Sequence, residues 1–135
     1  MRAIDIGLDC FPHNSGTTLF ETLFMGVPYV TLAGRPSVGR LGRSILTGLS
    51  RPEWLDAWCA DSEQDYIDKA VALASDLPAL QHIRSQLRPQ MQRSALMDEP
   101  GFARRVEHAY GQMLERWHAQ KVPTAQSSAP QEARA

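Results

Sequence analysis

The residues best suited to chemistry lie in a short polar stretch that ends in Gly16, Thr17 and Thr18, and an apolar helical pattern follows them at once. A helix start of this kind presents unpaired backbone N–H groups, hydroxyls and the positive end of the helix dipole to one point in space. It can hold phosphate without a lysine. The spacing predicts an anion site or an ordinary threonine cap, and caps are the commoner use. It is not a P-loop, because no Gly-Lys-Thr/Ser follows.

Glu21 adds an acidic side chain three residues after Thr18. Two functions fit that spacing. The carboxylate can bond back to the Thr18 N–H and complete a capping box. It can also accept hydrogen bonds from a ribose diol, as acidic side chains do in other nucleotide-binding folds.

A second polar loop, 33–40, follows the next strand pattern and carries Arg35, Ser37 and Arg40. The two arginines can neutralise phosphate or donate to a sugar, or they can be solvated loop charges. Ser37 is a weaker candidate for lining a polar site. His13 can serve as a base or a ligand, but the sequence shows no acidic partner to orient it.

The elements around these residues form a β-loop-α-β unit. Residues 4–10 have the apolar character of a buried strand, and turn-forming residues fill the loop 11–16. We expect a helix from about Thr18 to Met25, ended by Gly26 in the position after the cap. Residues 28–32 form the next strand.

The rest of the chain has helical patterns. We expect a helix after Arg40, a short helix or turn over Pro52–Trp58, a helix over 62–75, a further helix that Pro89 ends or kinks, and a last helix after Asp98. The 62–75 helix is predicted to bury Tyr66, Ile67, Ala70, Val71 and Ala74. An apolar stripe in the last helix is predicted to be core, or a face for another part of the protein; its members are Phe102, Val106, Tyr110, Met113 and Trp117.

Composition excludes some classes of protein. The net charge of −1 and the pI near 6.4 give no basic excess for nucleic acid or an anionic membrane. No apolar run approaches the ~20 residues of a membrane span, and no secretory pattern precedes residue 10. Cys10 and Cys59 are expected to be free thiols, with a single disulfide as the alternative. These features predict a cytoplasmic protein.

Taken together in order, these motifs resemble the C-terminal catalytic region of the O-GlcNAc transferase and SPINDLY family, over about residues 3–118. The segments that carry the resemblance are Ile4–Asp9, Asn14–Thr18, Met25–Gly34 and Gly39–Ser44, with a helical set that includes Leu73–Asp76, Leu87–Arg88 and Ser94–Asp98. The resemblance implies an α/β fold: part of the Rossmann-like C-terminal half of a GT-B glycosyltransferase, with a helical C-terminal extension. Residues 1–118 would form this donor-binding part, and 119–135 a disordered tail.

The resemblance also implies a ligand for the polar loop. The donor would be UDP-GlcNAc, or GDP-fucose as in the SPINDLY branch, with no other cofactor and no metal. By position, Thr17 and Thr18 would contact the donor diphosphate, and Glu21 would replace an Asp that binds the ribose. Gly16 stands where some members have a His. With Arg40 from the second loop, these residues are the predicted donor site.

The family's catalytic His, its acceptor groove and its tetratricopeptide repeats lie upstream of the matched region, so the resemblance assigns no catalytic residue to this chain. We therefore expect a fragment or a truncated reading frame of a larger enzyme, whose protein acceptor binds the missing half. That enzyme would transfer the sugar to Ser or Thr with inversion. The alternatives are an inactive nucleotide-sugar-binding or interaction fragment, and another sugar-nucleotide-dependent α/β enzyme.

Overall fold

A computed structural model describes residues 3–121 of the chain. The chain divides into two units, Met1–Glu99 and Pro100–Ala135. The first unit contains a parallel sheet in the order β1 (Gly7–Leu8), β2 (Tyr29–Leu32) and β3 (Cys59–Ala60). Gly7 pairs with Tyr29, and Thr31 pairs with Cys59. The predicted α/β class is therefore confirmed.

Five helices accompany this sheet. They are α1 (Thr17–Phe24), α2 (Leu41–Gly48), α3 (Pro52–Trp58), α4 (Glu63–Ser75) and α5 (Leu77–Arg93). Short 3-10 turns at Ser37–Gly39 and Ala95–Met97 complete the unit. The helix starts follow local chemistry, since the Ser62 and Asp76 side chains accept hydrogen bonds from the N–H groups of Asp65 and Ala79. At the end of α1, Gly26 takes the expected left-handed conformation, with φ +74.

The core lies between the sheet and the helices α1, α2, α3 and α5. Apolar side chains that are almost fully buried build it: Leu19, Leu23, Tyr29, Ile45, Leu46, Leu49, Trp54, Trp58, Leu87 and Met91. Because all three strands are parallel, the loops that follow them come to the same edge of the sheet. The loops 11–16 and 33–40 therefore meet there, as the sequence predicts, and the Asn14 N–H donates to the Val38 carbonyl oxygen at 2.9 Å.

Three local predictions were wrong. The strand predicted over residues 4–10 is confined to Gly7–Leu8, and the side chain of Leu8 is exposed. In α4 no residue is buried: of the predicted core positions, Ile67, Val71 and Ala74 are exposed, and Tyr66 and Ala70 are half-buried. The helix is held instead by polar contacts, because Tyr66 and Lys69 donate to the carbonyl oxygens of Asp9 and Asp56.

The third difference concerns Pro89, where the predicted helix end is wrong and the alternative, a kink, stays a prediction. The helix α5 continues through this residue to Arg93 instead of ending before it. A proline inside a helix costs about 3 kcal/mol through the lost N–H and the ring clash. Leu87 and Met91, on either side of it, are buried in the core. Tertiary packing therefore outweighs the local preference.

The second unit contains the helix α6 (Glu99–Lys121). Its apolar stripe is exposed at Phe102, Tyr110, Met113 and Trp117. The core alternative was therefore wrong, and the other alternative, a face for another part of the protein, stays a prediction. Of the tail predicted over 119–135, residues 119–121 continue this helix, and 122–135 lie outside the described residues. Among residues 3–121, no helix has both the length and the apolar character to cross a bilayer.

Gly42 is the point where α2 packs most closely on β2. A Cβ added there would lie 2.2 Å from Thr31 Oγ1 and 2.9 Å from Asp9 Oδ2. We expect Gly42→Ala to lower the free energy of unfolding by about 1–3 kcal/mol, because α2 must move away from the strand. Urea unfolding measures this value. The control is Gly111→Ala in α6, where a Cβ meets nothing within 4 Å and should be neutral or stabilising. Equal effects of the two substitutions would contradict the packing.

Tyr29 joins the same two elements, since its buried hydroxyl donates to the Gly42 carbonyl oxygen at 2.8 Å. Burial, aided by the negative charge of Asp9 and by Cys59, raises the pKa of Tyr29 above the usual 10.0. A raised folded-state pKa gives stability that is fully present below pH 10 and is lost as the pH rises above it. We expect the stability advantage of the native chain over Tyr29→Phe to be about 1 kcal/mol near neutrality and to shrink above pH 10. Urea unfolding across pH tests this, and a constant advantage would contradict it.

Candidate anion-binding site

Asp9 organises the loop that leads into α1. Its carboxylate is buried just after β1, where Oδ1 accepts the Ser15 N–H at 2.8 Å and Oδ2 accepts the Thr31 hydroxyl at 2.8 Å. Its backbone oxygen accepts the Tyr66 hydroxyl at 2.9 Å. One residue therefore connects the loop, β2 and α4. Two charge-assisted hydrogen bonds offset the cost of burying the carboxylate.

Asn14 fixes the middle of the same loop. Its side chain is buried, and its amide group donates to the carbonyl oxygens of Cys10 at 3.1 Å and Leu32 at 3.4 Å. Its Oδ1 is buried with no hydrogen-bond partner. Because this oxygen has almost no exposed surface, the two amide donations are the side-chain contacts that fix the loop.

The start of α1 is free of side-chain caps. Gly16 is the N-cap residue, its carbonyl oxygen accepts the Leu19 N–H at 3.0 Å, and no side chain bonds to the first turn. Thr17 and Thr18 are exposed, and nothing lies within 4 Å of a Cβ placed on Gly16. Because the Leu19 N–H is already bonded, the N–H groups of Thr17 and Thr18 are the first-turn donors without a partner among the described residues, and both threonines are exposed. Such an arrangement is suited to binding an anion.

The capping roles suggested for Thr18 and Glu21 were wrong. Thr18 lies inside the helix that begins at Thr17, and its carbonyl oxygen accepts the Thr22 hydroxyl at 2.6 Å. Glu21 is exposed, lies beyond the first turn, and makes no capping bond. The helix begins at Thr17, two residues earlier than a capping box with Thr18 as its N-cap requires, so the carboxylate of Glu21 lies past the unpaired N–H groups. The ribose role of Glu21 stays a prediction.

Arg40 occupies a different part of this edge. Its Nε donates to the Gly34 carbonyl oxygen at 3.1 Å, and with Arg35 it lines a cavity of about 570 Å³ whose lining does not include Thr17 or Thr18. A donor-binding role for Arg40 therefore stays a prediction. The two weaker candidates, His13 and Ser37, are both exposed.

Sequence reasoning missed Asp9, Thr31 and the buried position of Asn14. A usable signal was present, because Asp9 and Thr31 are polar residues near the ends of two apolar strands. Parallel pairing brings such residues together. In residues 3–121 no cluster of three or more His, Cys, Asp or Glu side chains could hold a metal ion, and Cys10 and Cys59 are free thiols.

The Asp9 contacts give a stability prediction. Asp9→Asn replaces one acceptor oxygen by a donor, so the Ser15 N–H or the Thr31 hydroxyl loses its partner. We expect the free energy of unfolding to fall by about 1–3 kcal/mol and hydrogen exchange at the Ser15 amide to accelerate. The matched control is Asp61→Asn at an exposed position, with an expected change within about 0.5 kcal/mol. Equal losses in the two variants would contradict the role of Asp9.

The chain is similar to proteins named as peptide N-acetylglucosaminyltransferases. The chain is 41% identical over 114 residues to the probable UDP-N-acetylglucosamine–peptide N-acetylglucosaminyltransferase SPINDLY of Oryza sativa subsp. japonica, a match that covers 84% of this chain and 12% of the rice protein. It is 30% identical over 115 residues to the UDP-N-acetylglucosamine–peptide N-acetylglucosaminyltransferase of Caenorhabditis elegans, which covers 85% of this chain and 10% of that protein. The chain thus spans about a tenth of the length of these relatives.

A solved structure supports the same relationship. A mutant of the O-GlcNAc transferase of Thermobaculum terrenum superposes with a TM-score of 0.72 and 35% sequence identity, over 82% of this chain and 20% of that one. The family model of glycosyl transferase family 41 matches residues 2–106. That match contains the sheet, the loops 11–16 and 33–40, and the uncapped start of α1. By this match, its relatives and its fold, the chain belongs to glycosyl transferase family 41.

Proposed function

We propose that residues 1–118 form part of the donor-binding half of a protein glycosyltransferase, and that the start of α1 holds the diphosphate of its nucleotide sugar. The observation that carries this proposal is the uncapped first turn, where N–H groups and the hydroxyls of Thr17 and Thr18 meet open space above Gly16. These groups match the chemistry of a diphosphate. Residues 119–135 are proposed to be a tail outside that part.

The relatives suggest the donor and the acceptor. Their names describe transfer of N-acetylglucosamine from its UDP derivative to peptides. We therefore assign UDP-GlcNAc as the donor, with GDP-fucose as the alternative, and a protein as the acceptor. We also propose that Glu21 accepts from the ribose, and its position one turn along α1 from Thr17 supports this role. The protein acceptor would bind through a part of the enzyme outside this chain.

The contribution of this chain to the reaction is electrostatic. When the acceptor hydroxyl displaces the nucleotide at the anomeric carbon, negative charge develops on the leaving diphosphate. The first-turn N–H groups and the positive end of the α1 dipole favour that charge. Asp9 and Asn14 hold the loop in place, so these donors need no rearrangement as the charge develops.

Two other functions remain as alternatives. The chain can bind a nucleotide sugar without catalysing transfer, or it can belong to another enzyme that uses sugar nucleotides. A panel of nucleotides tests which nucleotide the chain prefers. Preference for UDP favours the UDP-GlcNAc assignment, preference for GDP favours GDP-fucose, and preference for ADP contradicts both.

The experiment is calorimetric titration of the 135-residue chain with UDP and UDP-GlcNAc. We expect saturable binding that weakens at least about tenfold in the double variant Thr17→Ala with Thr18→Ala, because two hydroxyl donors to a charged phosphate are lost. The matched control is Ser75→Ala with Ser85→Ala, which removes two hydroxyls bonded within their own helices.

Two results of the titration would contradict the proposal. Equal binding by the native chain, the threonine variant and the serine control would contradict the diphosphate assignment. Absence of heat with both nucleotides at millimolar concentration would contradict a donor site in this chain.

A further inference from the structure

A second concave site lies at the same edge of the sheet, and the donor proposal makes no use of it. This cavity of about 570 Å³ is bounded by the loop after β2, the helix α2 and the residue that follows β3. Its lining residues are Ala33, Gly34, Arg35, Arg40, Arg43, Ser44, Thr47 and Asp61. Three arginines against one aspartate leave an excess of two positive charges in one concavity.

The three guanidinium groups lack carboxylate partners. Within residues 3–121, none of Arg35, Arg40 and Arg43 forms an ion pair, whereas Arg51 and Arg84 pair with Glu53 and Asp5. The side chain of Arg40 is held by its bond to the Gly34 carbonyl oxygen, which occupies its Nε. Arg43 also acts on Cys59 in β3. Burial raises the pKa of the Cys59 thiol, and the positive charge of Arg43 partly opposes that rise.

Hydroxyl groups add to this cationic lining. Ser44 and Thr47 lie one turn apart on α2, and the Thr47 hydroxyl donates to the Arg43 carbonyl oxygen at 2.9 Å. The Thr47 proton is therefore already used, whereas the Ser44 hydroxyl can donate into the cavity beside the guanidinium groups. Guanidinium N–H groups are the donors that phosphate oxygens prefer. A singly charged carboxylate would leave part of this positive charge uncompensated.

We propose that this cavity is a second anion site, which binds a small ligand carrying phosphate groups through Arg35, Arg40 and Arg43. The ligand is a compact multivalent anion of the phosphomonoester or diphosphate class. A concave site with converging charges fits such a ligand better than an acidic peptide, which needs charges spread along a surface. This assignment gives Arg40 a role apart from the donor site predicted for it, because Thr17, Thr18 and Glu21 do not line the cavity.

The test uses inorganic pyrophosphate as the probe. Backbone amide shifts of the isotopically labelled 135-residue chain are followed during titration at about 0.15 M salt, where weak surface attraction is screened. We expect saturable shifts at the amides of Gly42, Ser44 and Thr47. The double variant Arg35→Gln with Arg43→Gln should weaken this binding at least about tenfold.

Two further variants give independent controls. Asp61→Asn removes the negative charge from the lining and should tighten binding at least about twofold, a change that a purely structural role would not produce. Arg93→Gln removes a positive charge from the end of α5, outside the lining, and should leave binding unchanged. Thermal unfolding of each variant confirms that the fold is retained.

Several results would overturn the proposal. These are the absence of saturable shifts in α2, equal weakening by Arg93→Gln, and tighter binding of a hexaglutamate peptide than of pyrophosphate, which would indicate a protein-docking surface. Shifts confined to residues 14–19 and lost in the Thr17→Ala, Thr18→Ala variant would assign all anion binding to the loop before α1. Conversely, pyrophosphate binding in the cavity of a chain that fails to bind UDP would support this site and contradict the donor proposal.

Discussion

The buried carboxylate of Asp9 is the constraint on which the organisation of this sheet edge depends. A charge in that position is tolerated only when donors surround it, and here the Ser15 N–H and the Thr31 hydroxyl provide them. Both donors belong to elements that must then keep their positions. The requirement to satisfy one charge therefore fixes the loop after β1 against β2, and with it the direction in which α1 begins.

The helix α2 also packs against the Asp9 carboxylate. Gly42 lies against Thr31 Oγ1 and Asp9 Oδ2, so the helix approaches the strand where the carboxylate and hydroxyl meet. The Tyr29 hydroxyl, bonded to the Gly42 carbonyl oxygen, holds this approach from the strand side. A larger residue at position 42 would separate the helix from both groups. The close packing of α2 on β2 therefore requires glycine at position 42, whereas the position of the loop after β1 requires the carboxylate of Asp9.

Local patterns predicted most of the elements, because turns, caps and helical periodicity are properties of neighbouring residues. They predicted α1, β2, α3 and α4. They failed where contacts between distant residues determine the local structure. Pro89 stays inside a helix whose neighbouring residues are buried, and Ile67 is exposed beside Tyr66, whose hydroxyl bonds to Asp9. The donor-site candidates were chosen by residue type. The contacts of Asp9 with Thr31 join residues 22 positions apart, so periodicity could not reveal them.

The two proposed anion sites also show the limit of an argument from net charge. A total of −1 gives no reason to expect a polyanionic partner such as nucleic acid, since long-range attraction follows the overall charge. Recognition of a small anion depends instead on the few groups within hydrogen-bonding reach. At the start of α1 those groups are backbone N–H donors, which no count of charged residues includes. In the neighbouring cavity they are arginines gathered from a loop and a helix, and their local excess is hidden by acidic residues elsewhere in the chain.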